Sequence, residues 1–152
     1  MGGGVAHNFA SDNDLNFRVA YSRFIGADPD QPVEFFAELN LWSFLQKGDD
    51  ALGINPAFGL RWHFFNGPRW SWFADAGIGL LFSTGNVPDD GTSFNFTPRF
   101  GLGATWQMSP SAPDRLQIGL RWHHVSNARI NGDVRNPARD SLMIYAGVML
   151  PF

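Results

Sequence analysis

A histidine, a serine and an acid occupy matching positions in two neighbouring alternating segments near the C-terminus. His124 and Ser126 continue a series of apolar residues at even positions: Leu116, Ile118, Leu120 and Trp122. Because strand side chains alternate between two faces, all of these project to the same side. Asp140 opens the next segment and shares its parity with Leu142, Ile144, Ala146, Val148, Leu150 and Phe152. A nucleophile, a base and an acid beside an apolar stripe indicate acyl-transfer chemistry on a lipid.

The three side chains carry the functional groups of a serine esterase. A serine hydroxyl becomes a strong nucleophile when an imidazole takes its proton, and a carboxylate can orient that imidazole. The backbone leaves the alternating segment after Ser126, so the N–H groups from Asn127 to Arg129 and the Asn127 side chain are candidates for binding an oxyanion. A simpler interpretation stays open, with the His-x-Ser pair at a membrane interface and Asp140 a solvated loop acid.

The composition favours a membrane-embedded all-β protein. The 152 residues suffice for a single domain covering 1–152. Aromatic residues reach 15%, and charged residues only 16%, against about 25% in soluble domains. This suits a transmembrane barrel with aromatic girdles, although a soluble sandwich could share it. The chain has no cysteine for a disulfide or thiolate metal site, and its net charge of -3 gives no sign of nucleic-acid binding.

Apolar and polar residues alternate along most of the chain, which predicts β-strands. Seven segments show this clearly, and Val5–Phe9 is a weaker eighth. The seven are 15–22, 33–42, 55–64, 70–80, 94–107, 116–126 and 140–152. The opposite face carries many glycines and the charged residues Arg18, Glu34, Glu38, Arg61, Asp75, Arg99 and Arg121. We predict an eight-stranded antiparallel transmembrane β-barrel of outer-membrane type, with the apolar face toward lipid and the charged face in the lumen.

Short and long connections alternate along the chain. The short ones are 26–31, 66–68 and 109–114, and the others are 10–14, 46–53, 83–92 and 127–139. Transmembrane barrels have short periplasmic turns and longer external loops. We therefore expect both termini in the periplasm and Ser126 at the outer leaflet. No apolar signal core follows Met1–Gly4, so we expect a mature or truncated form of an exported chain.

The C-terminal half resembles the PagL-type lipid A 3-O-deacylases. The resemblance is carried by the His124–Ala128 stretch HVSNA, by Asn136-Pro137, and by an acid that opens a final strand ending in Phe. Two further stretches, 75–79 and 93–103, are similar to the family. The resemblance implies an eight-stranded outer-membrane barrel that hydrolyses the ester-linked acyl chain at the 3-position of lipid A, through an acyl-enzyme or by direct activation of water.

The resemblance also implies a role for each residue of the motif. Ser126 would be the nucleophile, His124 its base, and Asp140 the third member, where the family usually has Glu. Asn127, Ala128 and Arg129 would form the oxyanion and substrate-binding region, and glycine is common in the family at the Arg129 position. Lipid A or lipopolysaccharide is the implied substrate. The barrel-assembly machinery is an expected partner, because 147–152 resembles its recognition signal, and a homodimer is compatible with the resemblance.

Two other classes of protein share most of these features. A non-catalytic small barrel with a structural or adhesive role differs only in whether the His-x-Ser pair works, and a soluble lipid-binding barrel would not need detergent. No metal site or cofactor is expected, since no carboxylate cluster has ligand spacing. The alternation places His63 and His123 on the lumen side of their strands, and they are interpreted as packing residues. Asp49, Asp50, Asp89 and Asp90 are interpreted as solvated loop acids, and the outward tryptophans as interfacial belts.

Overall fold

A computed structural model describes residues 1–8, 13–25 and 32–150 of the chain. They form nine β-strand segments and a short 3-10 helix, Asp133–Arg135. The segments are β1 Gly2–Asn8, β2 Asn13–Phe24, β3 Val33–Phe44, β4 Ala51–Asn66, β5 Trp70–Val87, β6 Thr92–Phe96, β7 Arg99–Ser109, β8 Ala112–Val125 and β9 Arg139–Met149. Within those ranges, no helix is long and apolar enough to cross a membrane.

The strands close into one antiparallel barrel. The closure is made by β1 pairing with β9 and by β4 pairing with β5. β6 and β7 are two parts of one barrel strand, because both pair with β5 in the same register: Leu80 lies opposite Phe96, and Gly77 lies opposite Arg99. With β6 and β7 counted together, the barrel has the eight strands that the alternation predicts.

The interruption between β6 and β7 falls at Thr97 and Pro98, inside a segment predicted as one strand. A proline has no N–H to donate to a strand ladder. The flanking bonds nevertheless persist: the Thr97 N–H donates to Gly79 O at 2.9 Å, and the His124 N–H donates to Pro98 O at 3.0 Å. The chain therefore stays in the barrel wall across the break.

The predicted connection 83–92 is wrong in extent. β5 continues to Val87, and β6 begins at Thr92, so only Pro88–Gly91 turns between them. The strand continues because Ser83 still pairs with Gly53, and the Thr84 hydroxyl accepts the Leu52 N–H at 3.0 Å. Some predicted positions lie outside the described residues: the connection 26–31, residues 10–12 of the connection 10–14, Phe9, and the terminal Phe152.

The two faces of the wall have the polarity that the alternation predicts. Large apolar side chains point outward and are about half exposed, among them Leu102 at 52%, Ile118 at 56% and Ile144 at 62%. On the inner face, polar and charged side chains are buried; they include Arg18, Glu34, Glu38, Arg61, Asp75, Arg99 and Arg121. A surface that exposes its apolar residues and buries its charges matches a lipid-facing wall around a polar lumen.

Ion pairs and aromatic rings fill the lumen. Glu38 contacts Arg18, Arg99 and Arg121 at 3.5, 2.6 and 3.4 Å, and Asp75 contacts Arg121 at 3.0 Å. Glycines make room for rings that cross the interior: a Cβ on Gly103 would lie 2.5 Å from the ring of Phe73, and one on Gly119 would lie 2.6 Å from Tyr145. The interior is thus a packed polar core.

The two ends of the barrel differ in their connections. The "turn end" carries the tight links β4–β5 and β7–β8, and the "loop end" carries the links β3–β4, β5–β6 and β8–β9. The β8–β9 link is the longest of these and includes the 3-10 helix. The C-terminal residues of β8 and the first residues of β9 meet at the loop end, on the outer surface.

Candidate active site

The predicted nucleophile, base and acid occupy adjacent places in the outer wall at the loop end. His124 lies directly opposite Asp140 in the β8–β9 ladder. Ser126 forms a bridge with Phe96 on the other side, where the Phe96 N–H donates to Ser126 O at 2.7 Å. The register thus arranges carboxylate, imidazole and hydroxyl around one short stretch of β8.

His124 and Asp140 are joined by a direct hydrogen bond. Nδ1 of His124 lies 2.9 Å from Oδ1 of Asp140. An ionised carboxylate can only accept, so this contact assigns the proton to Nδ1 and leaves Nε2 free to accept another. The His124 side chain is 22% exposed and that of Asp140 is 42% exposed, which places the pair on the surface of the wall. This is the arrangement of a general base with an orienting acid.

Trp122 contributes a second donor to the same carboxylate oxygen. Its Nε1–H donates to Asp140 Oδ1 at 2.9 Å, and its ring centroid lies 5.6 Å from that of His124. The indole therefore flanks the imidazole while its N–H stabilises the carboxylate charge. Sequence reasoning assigned Trp122 only to an interfacial belt, because an outward tryptophan near a strand end has the same pattern in either role.

Ser126 lies two residues beyond His124 and is partly buried. Within the described part of the chain, its Oγ makes no hydrogen bond with the imidazole. Residues i and i+2 of a strand are about 7 Å apart at Cα, so contact requires the two side chains to turn toward each other. Catalytic hydrogen bonds are often long before substrate binds. The acid and base are therefore already in contact, and Ser126 follows His124 two residues further along the chain.

The chain reverses sharply after Ser126. Ala128 and Arg129 adopt φ values of 53° and 64°, in the left-handed region that residues with a Cβ seldom occupy. Glycine takes this conformation without penalty. The backbone at Ala128 and Arg129 is therefore held in a conformation that costs energy for a residue with a Cβ.

The Asn127 side chain holds this reversal in place. It is 1% exposed, and its Nδ2 donates to Arg135 O at 2.6 Å and to Thr92 Oγ1 at 3.2 Å. Its Oδ1 accepts the Arg129 N–H at 2.9 Å. The Asn127 N–H donates in turn to Asn136 Oδ1 at 2.9 Å. Asn127 and Asn136 thus join the start of the β8–β9 loop to its end and to β6.

These contacts separate the three oxyanion candidates. The side-chain amide of Asn127 and the N–H groups of Asn127 and Arg129 are all engaged within the loop. Among the described residues, the N–H of Ala128 has no such partner. Ala128 therefore presents the available backbone donor, and its neighbours fix the direction of that donor. The importance of Asn136 had only a weak sequence signal, an asparagine before Pro137.

His63 and His123 face the lumen, as the alternation predicts for both. His123 is 2% exposed and stacks on Trp42 with a centroid distance of 4.7 Å. His63 lies 3.0 Å from the Ser71 hydroxyl and 3.3 Å from a Glu34 oxygen. Both rings belong to the interior network, on the opposite side of the wall from His124.

A family model and a solved structure both match nearly the whole chain. A family model described as PagL, lipid A 3-O-deacylase, matches residues 8–149. A solved structure titled "Crystal structure of the outer membrane enzyme PagL" superposes with a TM-score of 0.83 at 17% identity, covering 99% of this chain and 98% of that chain. No curated protein matches the sequence significantly. The family match extends over nearly the whole barrel and includes the loop end.

Proposed function

The chain belongs to the PagL family of lipid A 3-O-deacylases, and on that basis we propose that it is an outer-membrane serine esterase that removes the acyl chain ester-linked at the 3-position of lipid A. The observation that carries this proposal is the 2.9 Å contact between His124 Nδ1 and Asp140 Oδ1 beside Ser126, on the outward face of the barrel. An esterase for a membrane lipid needs its reactive groups on that face, at the height of the ester.

The orientation in the membrane follows from the connections. With the loop end outside the cell, Ser126 lies near the outer-leaflet interface and the apolar wall below it lies among acyl chains. An ester at the junction of a sugar headgroup and its acyl chains then meets Ser126 without leaving the leaflet. Trp122, at 39% exposed, suits the same interfacial level.

The proposed reaction begins with attack by Ser126 Oγ on the ester carbonyl carbon. Nε2 of His124 takes the hydroxyl proton, and Asp140 stabilises the imidazolium through Nδ1. The developing oxyanion accepts a hydrogen bond from the Ala128 N–H. The intermediate collapses when the sugar oxygen leaves with the proton from Nε2. Water then hydrolyses the acyl-enzyme by the same route, which releases a fatty acid and restores Ser126.

Trp122 has a supporting role in this proposal. The Asp140 carboxylate is partly exposed on a wall that faces lipid, where an unpaired charge is costly. The indole N–H gives Asp140 Oδ1 a second donor besides the imidazole. We assign Trp122 as a positioning residue that holds the acid toward His124.

Mass spectrometry of lipid A tests the proposed function. Lipid A from cells producing this protein should lose the mass of one 3-linked acyl chain, and cells producing the Ser126→Ala variant at equal folded level should keep it. Lipid A that is unchanged by the wild-type protein would favour the non-catalytic barrel. Loss of the chain with Ser126→Ala as well would reject the serine mechanism.

A further inference from the structure

A polar groove opens at the loop end, next to the proposed active site. It lies between the β5–β6 hairpin and the β8–β9 loop and has a volume of about 480 Å³, within the range of small-molecule sites. Its lining residues include the acids Asp89 and Asp90, the hydroxyl residues Thr92 and Ser93, and Arg135. The carboxylate, hydroxyl and amide groups can bind sugar hydroxyls, and Arg135 is the group in the lining that can bind an anion.

The groove is joined to Ser126 by continuous structure. Phe94 lines the groove, and Phe96, two residues along β6, is the bridge partner of Ser126. That separation is about 7 Å along the strand. The Thr92 hydroxyl, also in the groove wall, accepts from the Asn127 side chain at 3.2 Å. The groove therefore begins roughly one sugar ring beyond the nucleophile, on the loop-end side.

The direction of the groove matches the two halves of the ester. The acyl half extends along the apolar wall, so the alcohol half must lie beyond Ser126 toward the loop end. This groove is a polar cavity at that position. The alcohol half of a lipid A ester is an amino sugar bearing phosphate.

Arg135 is the cation among the residues that line the groove. Arg129 pairs with Asp133 at 3.2 Å, and Arg139 pairs with Asp14 at 2.5 Å. Within the described ranges, the Arg135 guanidinium has no ion-pair partner, and only its backbone carbonyl is engaged, with Asn127. An unpaired guanidinium in a groove wall can take a phosphate or carboxylate oxygen through paired N–H groups.

We propose that this groove binds the saccharide headgroup of the substrate, with Arg135 recognising an anionic group on it. This inference rests on the proposed function and adds the determinant of headgroup selectivity. The anion is either a phosphate of the headgroup or a carboxylate of an acidic sugar attached to it, and both would be bound by the same guanidinium.

Kinetics on four ester substrates test the proposal, with folded protein in mixed micelles. The substrates are phosphorylated lipid A, the same lipid after phosphatase treatment, lipopolysaccharide that retains its acidic core sugars, and a short ester without a sugar. Arg135→Gln should raise KM about tenfold for the substrates that carry the recognised anion, and leave kcat and the short ester unchanged. Lys47→Gln removes the same charge from an exposed position outside the groove and should change nothing.

The substrate series identifies the anion. If phosphate is recognised, phosphatase treatment should abolish the difference between wild type and Arg135→Gln. If an acidic sugar is recognised, only lipopolysaccharide should show the difference. Ser93→Phe, which fills the groove, should raise KM for every sugar-bearing substrate while sparing the short ester. Equal KM values for wild type, Arg135→Gln and Ser93→Phe on all lipids would overturn the proposal that the groove binds the headgroup. Absence of wild-type activity on lipid A would instead overturn the proposed function.

Discussion

The lumen and the outer wall at the loop end both contain charged side chains, but they use them differently. In the lumen, Glu38 is in contact with three arginines and is 7% exposed. On the outer wall, Asp140 is in contact with two donors, His124 and Trp122, and its side chain is 42% exposed. The interior charges are paired with one another, whereas the exterior group keeps an imidazole nitrogen and a hydroxyl free for substrate.

This difference separates stability from chemistry. Removing one member of a buried ion pair leaves an uncompensated charge, so the free energy of unfolding decreases. Removing a group that awaits substrate costs little in the folded state and falls on the transition state. We therefore expect lumen variants to lower the free energy of unfolding and loop-end variants to lower the reaction rate. Each group of variants should have little effect on the other quantity.

The largest expected effect is on the rate in Ser126→Ala. Loss of the hydroxyl should reduce deacylation at least about 1,000-fold, and His124→Ala should do the same. The double variant should be hardly worse than either single one, because the groups act as a unit. Both single variants should unfold at the same urea concentration as the wild-type protein in lipid vesicles. Additive losses in the double variant would indicate that the two residues act separately.

Glu38→Gln should produce the opposite pattern. The change leaves Arg18, Arg99 and Arg121 without their shared carboxylate, and we expect about 3–5 kcal/mol of destabilisation. Activity per folded molecule should remain near wild type. Urea titration followed by tryptophan fluorescence measures the loss of stability, and lipid A mass spectrometry measures the activity. Asp49→Asn, the equivalent change on an exposed loop, is the control.

Leu102→Arg tests the lipid-facing assignment of the wall. Leu102 is 52% exposed at mid-height of β7, and an arginine there should cost about 2–4 kcal/mol in a bilayer. Thr105→Ser, a lumen change that keeps the hydroxyl bonded to Arg115, should cost far less. A harmless Leu102→Arg in a chain that is monodisperse without detergent would contradict the membrane orientation.

Asp140→Asn should lower the rate about 10–100-fold with stability unchanged. The amide nitrogen can donate to Nδ1 and so favour the imidazole tautomer that cannot accept from Ser126. The reduction is smaller than for a fully buried acid because Asp140 is partly solvated. Asp140→Glu should retain much of the activity. A wild-type rate in Asp140→Asn would reduce the working unit to a dyad of Ser126 and His124.

The smallest effect is expected for Trp122→Phe, which removes one indole N–H while keeping an aromatic ring. Loss of a hydrogen bond worth about 1 kcal/mol predicts a roughly fivefold lower rate. Trp106→Phe makes the same change on the outer wall at the turn end and should have no effect. Combining Trp122→Phe with Asp140→Asn should add little, because both act through the same carboxylate. Independent effects would show that Trp122 acts through packing alone.

The barrel was predictable because the alternation of apolar and polar residues is a local property of the sequence. Alternation assigns each residue a face, so the burial of Arg61 and Asp75 and the exposure of Leu102 and Ile118 followed from parity alone. Turn-like residues misled the prediction for β5, where Ser83 and Gly85 continue a strand. Cross-strand contacts from β4 keep that stretch extended, and such contacts leave no trace in the local sequence.

The candidate site was predictable only in part. Parity put Ser126, His124 and Asp140 on one face, but it could not place Asp140 directly opposite His124, since that depends on the path of the β8–β9 loop. The loop itself is fixed by the Asn127 side chain and Asn136, and one partner of Asn127, Thr92, lies 35 residues earlier in the chain. The hydrogen bond from Trp122 to Asp140 likewise appears only once the register between β8 and β9 is known.

The outward position of Ser126 and His124 also determines how this protein would meet its substrate. A group on the outside of the barrel is reached by lateral diffusion within the leaflet, so encounters take place in two dimensions. The relevant concentration is then the mole fraction of lipid A among its neighbours, and adding inert lipid at constant bulk substrate should slow the reaction. Membrane fluidity and lipid crowding would therefore set turnover more directly than the amount of substrate per volume.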